Sequence, residues 1–251
     1  MRTFFIFTLL LVVSIRLHAQ HCLLKKAYFQ SFKADTKSLK NACIHPSEKA
    51  VISTWITFCA TLLCTQLDQE IKIQVQQNRS RTSNQVSKFI EPFGRGYTTF
   101  GISAGLCCWG VINHNTAVQE TGLTAIKCLL FTDLITGFTK FAVQRKRPYA
   151  TDNPGAIYGF WQTQSNFSFP SGHAADAFAL ATVLCHRIKK PSWRIPIYGM
   201  AAAVALSRIH DNKHWASDVV IGSLVGFTTA KIILHADNWK PHAKNELPFT
   251  P

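Results

Sequence analysis

Residues 195–235 read IPIYGMAAAVALSRIHDNKHWASDVVIGSLVGFTTAKIILH. Two apolar runs, 195–209 and 217–235, lie on either side of a short polar segment. Both runs are longer than ordinary strands, and small or aliphatic residues dominate them, so each is predicted to be a helix. This stretch therefore predicts two helices joined by a polar connection.

The same pattern extends through most of the chain. Four further apolar runs precede the quoted stretch, at 50–67, 97–113, 120–140 and 173–188. Pro191, Pro196 and Pro241 fall between the runs or at their edges, as expected of residues that interrupt helices. The sequence has no fixed-period repeat and no low-complexity tract. It predicts one all-α domain at residues 50–237, a bundle of about six core helices.

The two ends of the chain differ in composition from this bundle. A positively charged start and an apolar run from Phe4 to Ile15 follow the pattern of a secretory signal peptide, which is predicted at residues 1–20. An uncleaved N-terminal anchor is the alternative. Residues 21–49 are predicted to form a polar, amphipathic lead-in, and residues 238–251 a C-terminal tail. The protein is therefore expected to be exported to the periplasm or the cell envelope.

The charge of the chain indicates an anionic partner. Lysine and arginine number 27 against 13 aspartates and glutamates, and the formal net charge is +14. Phosphate esters, an acidic membrane surface and nucleic acid all suit this balance. No zinc-finger spacing and no aromatic RNA-binding signature accompanies the basic residues, so nucleic acid is not expected as a partner. Most of the eight cysteines lie in apolar runs and are expected to pack as small core residues.

The sequence leaves the relation of the helices to a membrane open. The apolar runs are short, and several carry charges, at Lys127, Asp133, Asp176 and Lys231, which would be costly in mid-bilayer. The basic loop Arg187–Arg194, in contrast, is typical of a cytoplasmic connection. If every run crossed a membrane after an exported N-terminus, this loop would lie outside, against its charge. The expectation is a bundle that sits on or in the membrane.

Three clusters of polar residues have the composition of one phosphate site. The clusters are Lys140, six residues, then Arg147-Pro148; Pro170-Ser171-Gly172-His173; and Ser207-Arg208, five residues, His214, three residues, Asp218. Lys140, Arg147 and Arg208 supply three cations, and the two guanidinium groups suit bidentate contact with phosphate. Ser171 and Gly172 precede an apolar helix, where free backbone N–H groups and the helix dipole favour an anion.

Two histidines in these clusters suit phosphoryl transfer. His214 and Asp218 are four residues apart, so on one helix they would lie on the same face, and the carboxylate would orient the ring. His173 is expected on the first turn of its helix, beside the phosphate. Asp176 follows one turn later; it either tunes His173 or is simply solvated. No carboxylate cluster for a metal pair is visible, so neither a metal nor another cofactor is expected.

Together the three clusters resemble the signature of the type 2 phosphatidic acid phosphatase and vanadium haloperoxidase superfamily. The resemblance covers roughly residues 123–235 and implies a helical bundle with the signature at one end. It implies that His214 is the nucleophile, that Asp218 activates it, and that His173 is the general acid. The same resemblance implies a phosphate cradle of five residues, Lys140, Arg147, Ser171, Gly172 and Arg208.

The expected activity is that of a metal-independent phosphatase that forms a phosphohistidine on a phosphate monoester or diphosphate. The aromatic residues Phe160, Trp161, Phe167 and Phe169 favour a lipid phosphate, although a mobile aromatic loop could also close over a small soluble ester. Vanadate-dependent haloperoxidation is a further alternative, but the family's haloperoxidases are generally much larger chains. An idle phosphate- or lipid-binding membrane protein is the last alternative, and it would not need a nucleophile beside a carboxylate.

Overall fold

The computed structural model describes residues 26–46, 48–160, 167–188 and 190–236. The predicted signal peptide and C-terminal tail lie outside the described residues, as does Trp161. The eight α-helices of the described part are α1 Lys26–Ile44, α2 Glu48–Gln77, α3 Arg81–Ile90, α4 Gly96–Ile112, α5 Thr116–Val143, α6 Gly172–Arg187, α7 Arg194–His210 and α8 Ala216–Ala236. No strand occurs among these residues, and the predicted all-α class is confirmed.

The six predicted runs correspond to α2 and to α4 through α8. The largest difference in their bounds is at α2, which continues for ten residues beyond the apolar run that ends at Leu67. This polar extension makes contacts with the rest of the bundle, because Asp68 is buried and Lys72 contacts the loop after α5. Helix α1 lies in the predicted lead-in, and the short polar helix α3 was not expected.

Helix α6 lies at the centre of the bundle, in contact with α5, α7 and α8. Its buried face is made of small residues such as Ala179 and Val183, which pack against Leu129 of α5 and Ile233 of α8. Small side chains let the helices approach closely. At Gly222 of α8, an added Cβ would lie 2.3 Å from the Ser171 carbonyl oxygen, so glycine is needed there. This close approach fixes the first turn of α8 beside the first turn of α6.

The connectivity places four helix ends together. Helix α5 ends, α6 begins, α7 ends and α8 begins at one end of the bundle, where the backbone N–H of Ser171 donates to the Asp218 carbonyl oxygen at 3.0 Å. The basic loop Arg187–Arg194 joins α6 and α7 at the opposite end. Among the described residues, one segment, Ala216–His235, is long and apolar enough to cross a membrane, and half of it is buried in the bundle. A core helix of a soluble protein would also meet that criterion.

Candidate active site

His214 lies in the polar turn between α7 and α8. The expectation that His214 and Asp218 share one helix is therefore wrong, because α8 begins only at Ala216. The reason is the turn itself: the backbone N–H groups of Lys213 and His214 both donate to the Arg208 carbonyl oxygen, which closes the end of α7. His214 is almost fully buried by this arrangement.

The hydrogen bonds of His214 define its tautomer. Nδ1 is 2.7 Å from the Ser168 carbonyl oxygen, which can only accept, so Nδ1 carries a proton. Asp218 Oδ2 is farther away, 3.7 Å from Nδ1, and acts on the ring as a nearby charge. Burial lowers the pKa of His214 to about 4, and Asp218 opposes this only in part. The ring is thus neutral at pH 7, with its lone pair on Nε2.

Asp218 is held by a buried network that the sequence did not reveal. Its Oδ2 accepts hydrogen bonds from the Trp215 backbone N–H and the Ser168 hydroxyl. Its Oδ1 accepts from the guanidinium of Arg145, which also pairs with Asp68 of α2 at 2.7 Å. Asp68 in turn accepts from the backbone N–H and hydroxyl of Ser217. One buried arginine therefore joins two buried carboxylates behind His214.

Neither Arg145 nor Asp68 was among the candidate residues. Arg145 lies only two residues before Arg147, but in a run of lysines and arginines nothing marks which of them is buried. Asp68 directly follows an apolar run, where a charge usually marks the solvated end of a helix. Their role depends on a contact between positions 77 residues apart, which no local pattern can show.

Loss of Arg145 is expected to destabilise the fold strongly. In the variant Arg145→Met, two carboxylates remain buried without their cation, and breaking a buried ion pair in this way costs about 3–5 kcal/mol. Guanidinium unfolding would measure the loss, with Arg81→Met at an exposed position of α3 as the control. Adding Asp68→Asn should recover part of the stability, because it removes one of the stranded charges. Equal stability of the Arg145 and Arg81 variants would contradict this account of the network.

The three candidate cations lie around His214 with few partners of their own. Lys140 Nζ donates to the Pro170 carbonyl oxygen, and the side chain of Arg147 makes no hydrogen bond or ion pair within the described part of the chain. Arg208 is buried, and its Nε has no acceptor. Burial, followed by the charge of Arg147, lowers the pKa of Lys140 to about 8. A cluster of this kind has excess positive charge that an anion would relieve.

The start of α6 completes the cationic cluster. Ser171 is the N-cap residue of α6 and is fully buried, and its side chain accepts from the Ala174 backbone N–H. A Cβ at Gly172 would meet nothing closer than Lys140 Cε, at 3.9 Å. The space over this helix N-terminus is therefore open on the side of Lys140. An anion placed there would meet the free N–H groups of the first turn.

His173 lies on the first turn of α6, as expected. Its Nε2 is 2.9 Å from Glu91 Oε1, a contact that the sequence did not predict. Asp176 is not solvated: it is 4% exposed, and its Oδ1 makes no hydrogen bond. It lies beside Asp133 of α5. The solvated interpretation of Asp176 is therefore wrong, because the packing of α6 against α5 encloses this side chain.

The structure brings the eight candidate residues to one end of the bundle, although it does not test their roles. His214 lies in the turn between α7 and α8, Asp218 lies on the first turn of α8, and His173 lies on α6. The three cations come from α5, the loop after it and α7. Within the described ranges, no group of three or more histidine, cysteine, aspartate or glutamate side chains is arranged to hold a metal ion. The arrangement is that of a deep cationic site beside a neutral, buried imidazole.

Comparison with known proteins matches part of this sequence to one family. The sequence model of the PAP2 superfamily matches residues 121–241. The lipid A 1-phosphatase of Porphyromonas gingivalis is 42% identical over 67 residues, which are 26% of this chain and 15% of that protein. The undecaprenyl-diphosphatase of Sulfolobus acidocaldarius is 24% identical over 172 residues, 68% of this chain and 79% of that protein.

A solved structure shares the fold. The PAP2-type phosphatidylglycerolphosphate phosphatase of Bacillus subtilis superimposes with a TM-score of 0.58 and 20% identity, over 74% of this chain and 96% of that one. At this identity the likeness shows the fold alone. It agrees with the helical bundle described above.

Proposed function

The chain belongs, over residues 121–241, to the PAP2 superfamily, and we propose that it is a metal-independent phosphatase that hydrolyses a phosphate monoester or diphosphate. One observation carries the proposal: His214 is buried and neutral, and its Nε2 has no partner among the described residues. A neutral imidazole beside three cations with unused donors is arranged to attack a bound phosphoryl group.

The first chemical step forms a phosphohistidine. Lys140, Arg147 and Arg208 hold the phosphoryl oxygens, with the N–H groups of the first turn of α6, and offset the charge that develops on them. His214 Nε2 forms a bond to phosphorus, and the bond from phosphorus to the leaving oxygen breaks. His173 gives its proton to that oxygen. The Ser168 carbonyl and Asp218 stabilise the proton that remains on His214 Nδ1.

The second step returns the enzyme to its starting state. Water attacks phosphorus, and the bond from phosphorus to His214 Nε2 breaks. His173, now neutral, accepts the proton that water loses, so it is again ready to act as an acid. Inorganic phosphate is the product. The buried Asp68–Arg145–Asp218 network keeps the position of His214 fixed through both steps.

We further propose a lipid phosphate as the substrate, because an apolar groove lies along α6 one turn beyond His173. The groove is about 270 Å³ and runs between α4 and α7 over the surface of α6. Its lining includes Ala177, Leu180, Ala181 and Leu184 of α6, Ile102 of α4 and Met200 of α7. Phe93 lines one end of the groove and lies two residues after Glu91, which contacts His173. A hydrocarbon chain in this groove would place its phosphate in the cradle.

The groove makes a prediction that separates a lipid substrate from a small soluble ester. Ile102→Trp should obstruct the groove, so phosphate release from a long-chain lipid phosphate should fall at least about tenfold in kcat/KM. Release from p-nitrophenyl phosphate should not change. Leu206→Trp, at an exposed position of α7 outside the groove, is the matched control. If Ile102→Trp and Leu206→Trp hydrolysed the lipid phosphate at equal rates, and the wild-type protein hydrolysed a sugar phosphate, the small-ester alternative would be favoured.

We propose that the site faces away from the cytoplasm, in the cell envelope. The support is the position of Arg187–Arg194, whose basic residues lie at the end of the bundle opposite the site and suit a cytoplasmic side. Exposed apolar side chains on α5, at Leu130, Leu134 and Phe138, suit contact with lipid. Among the relatives, the names of the lipid A 1-phosphatase and the undecaprenyl-diphosphatase state a lipid phosphate or diphosphate as the substrate.

A further inference from the structure

Glu91 occupies a position from which it contacts two of the candidate residues at once. It is the first residue of a short 3₁₀ turn, Glu91–Gly94, between α3 and α4. Its Oε1 is 2.9 Å from His173 Nε2 and 3.2 Å from Arg208 Nη1. This turn lies outside the segment that matches the family, and none of the three signature clusters includes it.

The packing of the backbone brings Glu91 close to His173. A Cβ at Gly94 would lie 3.0 Å from the His173 carbonyl oxygen, so the 3₁₀ turn packs directly against the first turn of α6. The second carboxylate oxygen, Oε2, is held by Arg95 at 2.7 Å. Arg95 Nε also donates to Oε1, at 3.1 Å, so Arg95 holds both carboxylate oxygens while Oε1 faces the imidazole.

The surroundings of His173 otherwise oppose its role as an acid. The charged groups that face the ring are Arg95 at the start of α4, Arg208 from α7 and Glu91. Asp176, one turn along α6, lies beside Asp133 instead. Burial, followed by the charge of Arg208, lowers the pKa of His173 to about 4, and Glu91 works against both. Within the described part of the chain, Glu91 is the carboxylate that stabilises a protonated ring.

The arrangement also divides the two ring nitrogens between two tasks. Nε2 is engaged by Glu91, whereas Nδ1 has no hydrogen bond to any described residue. A protonated ring held in this way donates one N–H to Glu91 and presents the other to the leaving oxygen. Burial raises the pKa of Glu91, but the contacts with Arg95, Arg208 and His173 together lower it by more. The pKa of Glu91 is therefore below its usual value, and the carboxylate is ionised.

We propose that Glu91 is the positioning residue of His173: it accepts a hydrogen bond from Nε2, fixes the ring, and stabilises its protonated form, from which Nδ1 protonates the leaving group. The proposal rests on the phosphatase function proposed above. The proposed site then contains two imidazoles, each with one carboxylate beside it. Asp218 lies beside the nucleophile His214, and Glu91 lies beside the acid His173. The two carboxylates come from opposite sides of the cradle, α8 and the 3₁₀ turn.

The test uses Glu91→Gln in the full chain, which keeps the shape of the side chain and removes its charge. The titration of His173 is followed by NMR, with its signal identified by its absence in His173→Ala. We expect the His173 transition to move to lower pH by about one unit, because a stabilising charge is lost. On an alkyl phosphate, kcat/KM at pH 7 should fall roughly 10²-fold, and its alkaline limb should move to lower pH.

Two controls separate positioning from a structural role. The burst on p-nitrophenyl phosphate should change little in Glu91→Gln, since this leaving group departs without a proton. Glu70→Gln, at an exposed position of α2, should change neither the NMR titration nor the rates. Glu91→Asp should restore part of the alkyl phosphate activity, because it restores the charge.

Three results would overturn the proposal. One is an unchanged His173 titration in Glu91→Gln. Another is an equal loss on both esters, which would indicate a structural role alone. The third is tighter inhibition of Glu91→Gln by inorganic phosphate with an unchanged pH dependence of the rate. That result would show that Glu91 only competes with phosphate for the cations of the cradle. The NMR titration does not depend on turnover, so it tests the Glu91–His173 contact separately from the proposed function. If the wild-type chain hydrolysed neither ester, the proposed function would be contradicted, whereas a shifted His173 titration would still support the contact.

Discussion

Replacement of His214 by alanine is expected to abolish turnover of an alkyl phosphate and of p-nitrophenyl phosphate alike. The bond to phosphorus forms at Nε2 of this ring, so no leaving group, however good, can compensate for its loss. His214→Ala should also show no burst of p-nitrophenolate in rapid-mixing experiments. His210, one turn earlier, is a matched control, since its ring contacts Ser83 and Asp211 rather than the cradle. His210→Ala should retain the burst.

Replacement of His173 by alanine should give a different pattern on the same two esters. This residue only moves protons, so its loss should matter most for an alkoxide, which leaves poorly without one. The p-nitrophenyl ester should still give a measurable burst, although steady-state turnover stays low because hydrolysis of the phosphohistidine lacks a base. Burst amplitudes are therefore the quantity to compare. A burst in His214→Ala and none in His173→Ala would reverse the two roles.

The second large effect is expected at Arg208. Arg208→Lys keeps the positive charge but removes the planar fork. The Nε of Arg208 is a buried donor that has no acceptor among the described residues. We expect kcat/KM to fall by roughly 10²-fold, as for loss of one strong transition-state contact. Arg194→Lys, at the exposed start of the same helix, should leave the rate unchanged. Near-full activity of the Arg208 variant would show that Arg208 does not bind phosphate bidentately.

The helices were predictable because apolar length is a local property. The runs at 97–113 and 173–188 differ by one residue at each end from α4 and α6. Helix α3 was not predicted, because its residues are mostly polar and its position depends on contacts with α7 and the 3₁₀ turn. The end of α2 was placed too early for a similar reason, since its polar extension is held by contacts of Asp68 with Ser217 and of Lys72 with the loop after α5.

The candidate site was predictable in its residue types but not in its supporting contacts. Spacing alone suggested that His214 and Asp218 share a helix, whereas the turn that closes α7 keeps His214 out of α8. Asp68 and Glu91 act on the site from positions far away in the chain, and Arg145 takes part through its ion pair with Asp68. Such contacts are set by how the helices pack. A single sequence carries no local signal for them, and they had to be read from the fold.

The most direct measurement of the central claim is the location of the phosphoryl group on the enzyme. The full chain is mixed with a labelled phosphate ester, quenched in alkali to preserve phosphohistidine, digested and analysed by mass spectrometry, with His173→Ala included to slow hydrolysis of the intermediate. The account predicts an acid-labile phosphoryl group on His214, absent from His214→Ala. A phosphoryl group on any other residue, or phosphate release that persists in His214→Ala, would contradict it.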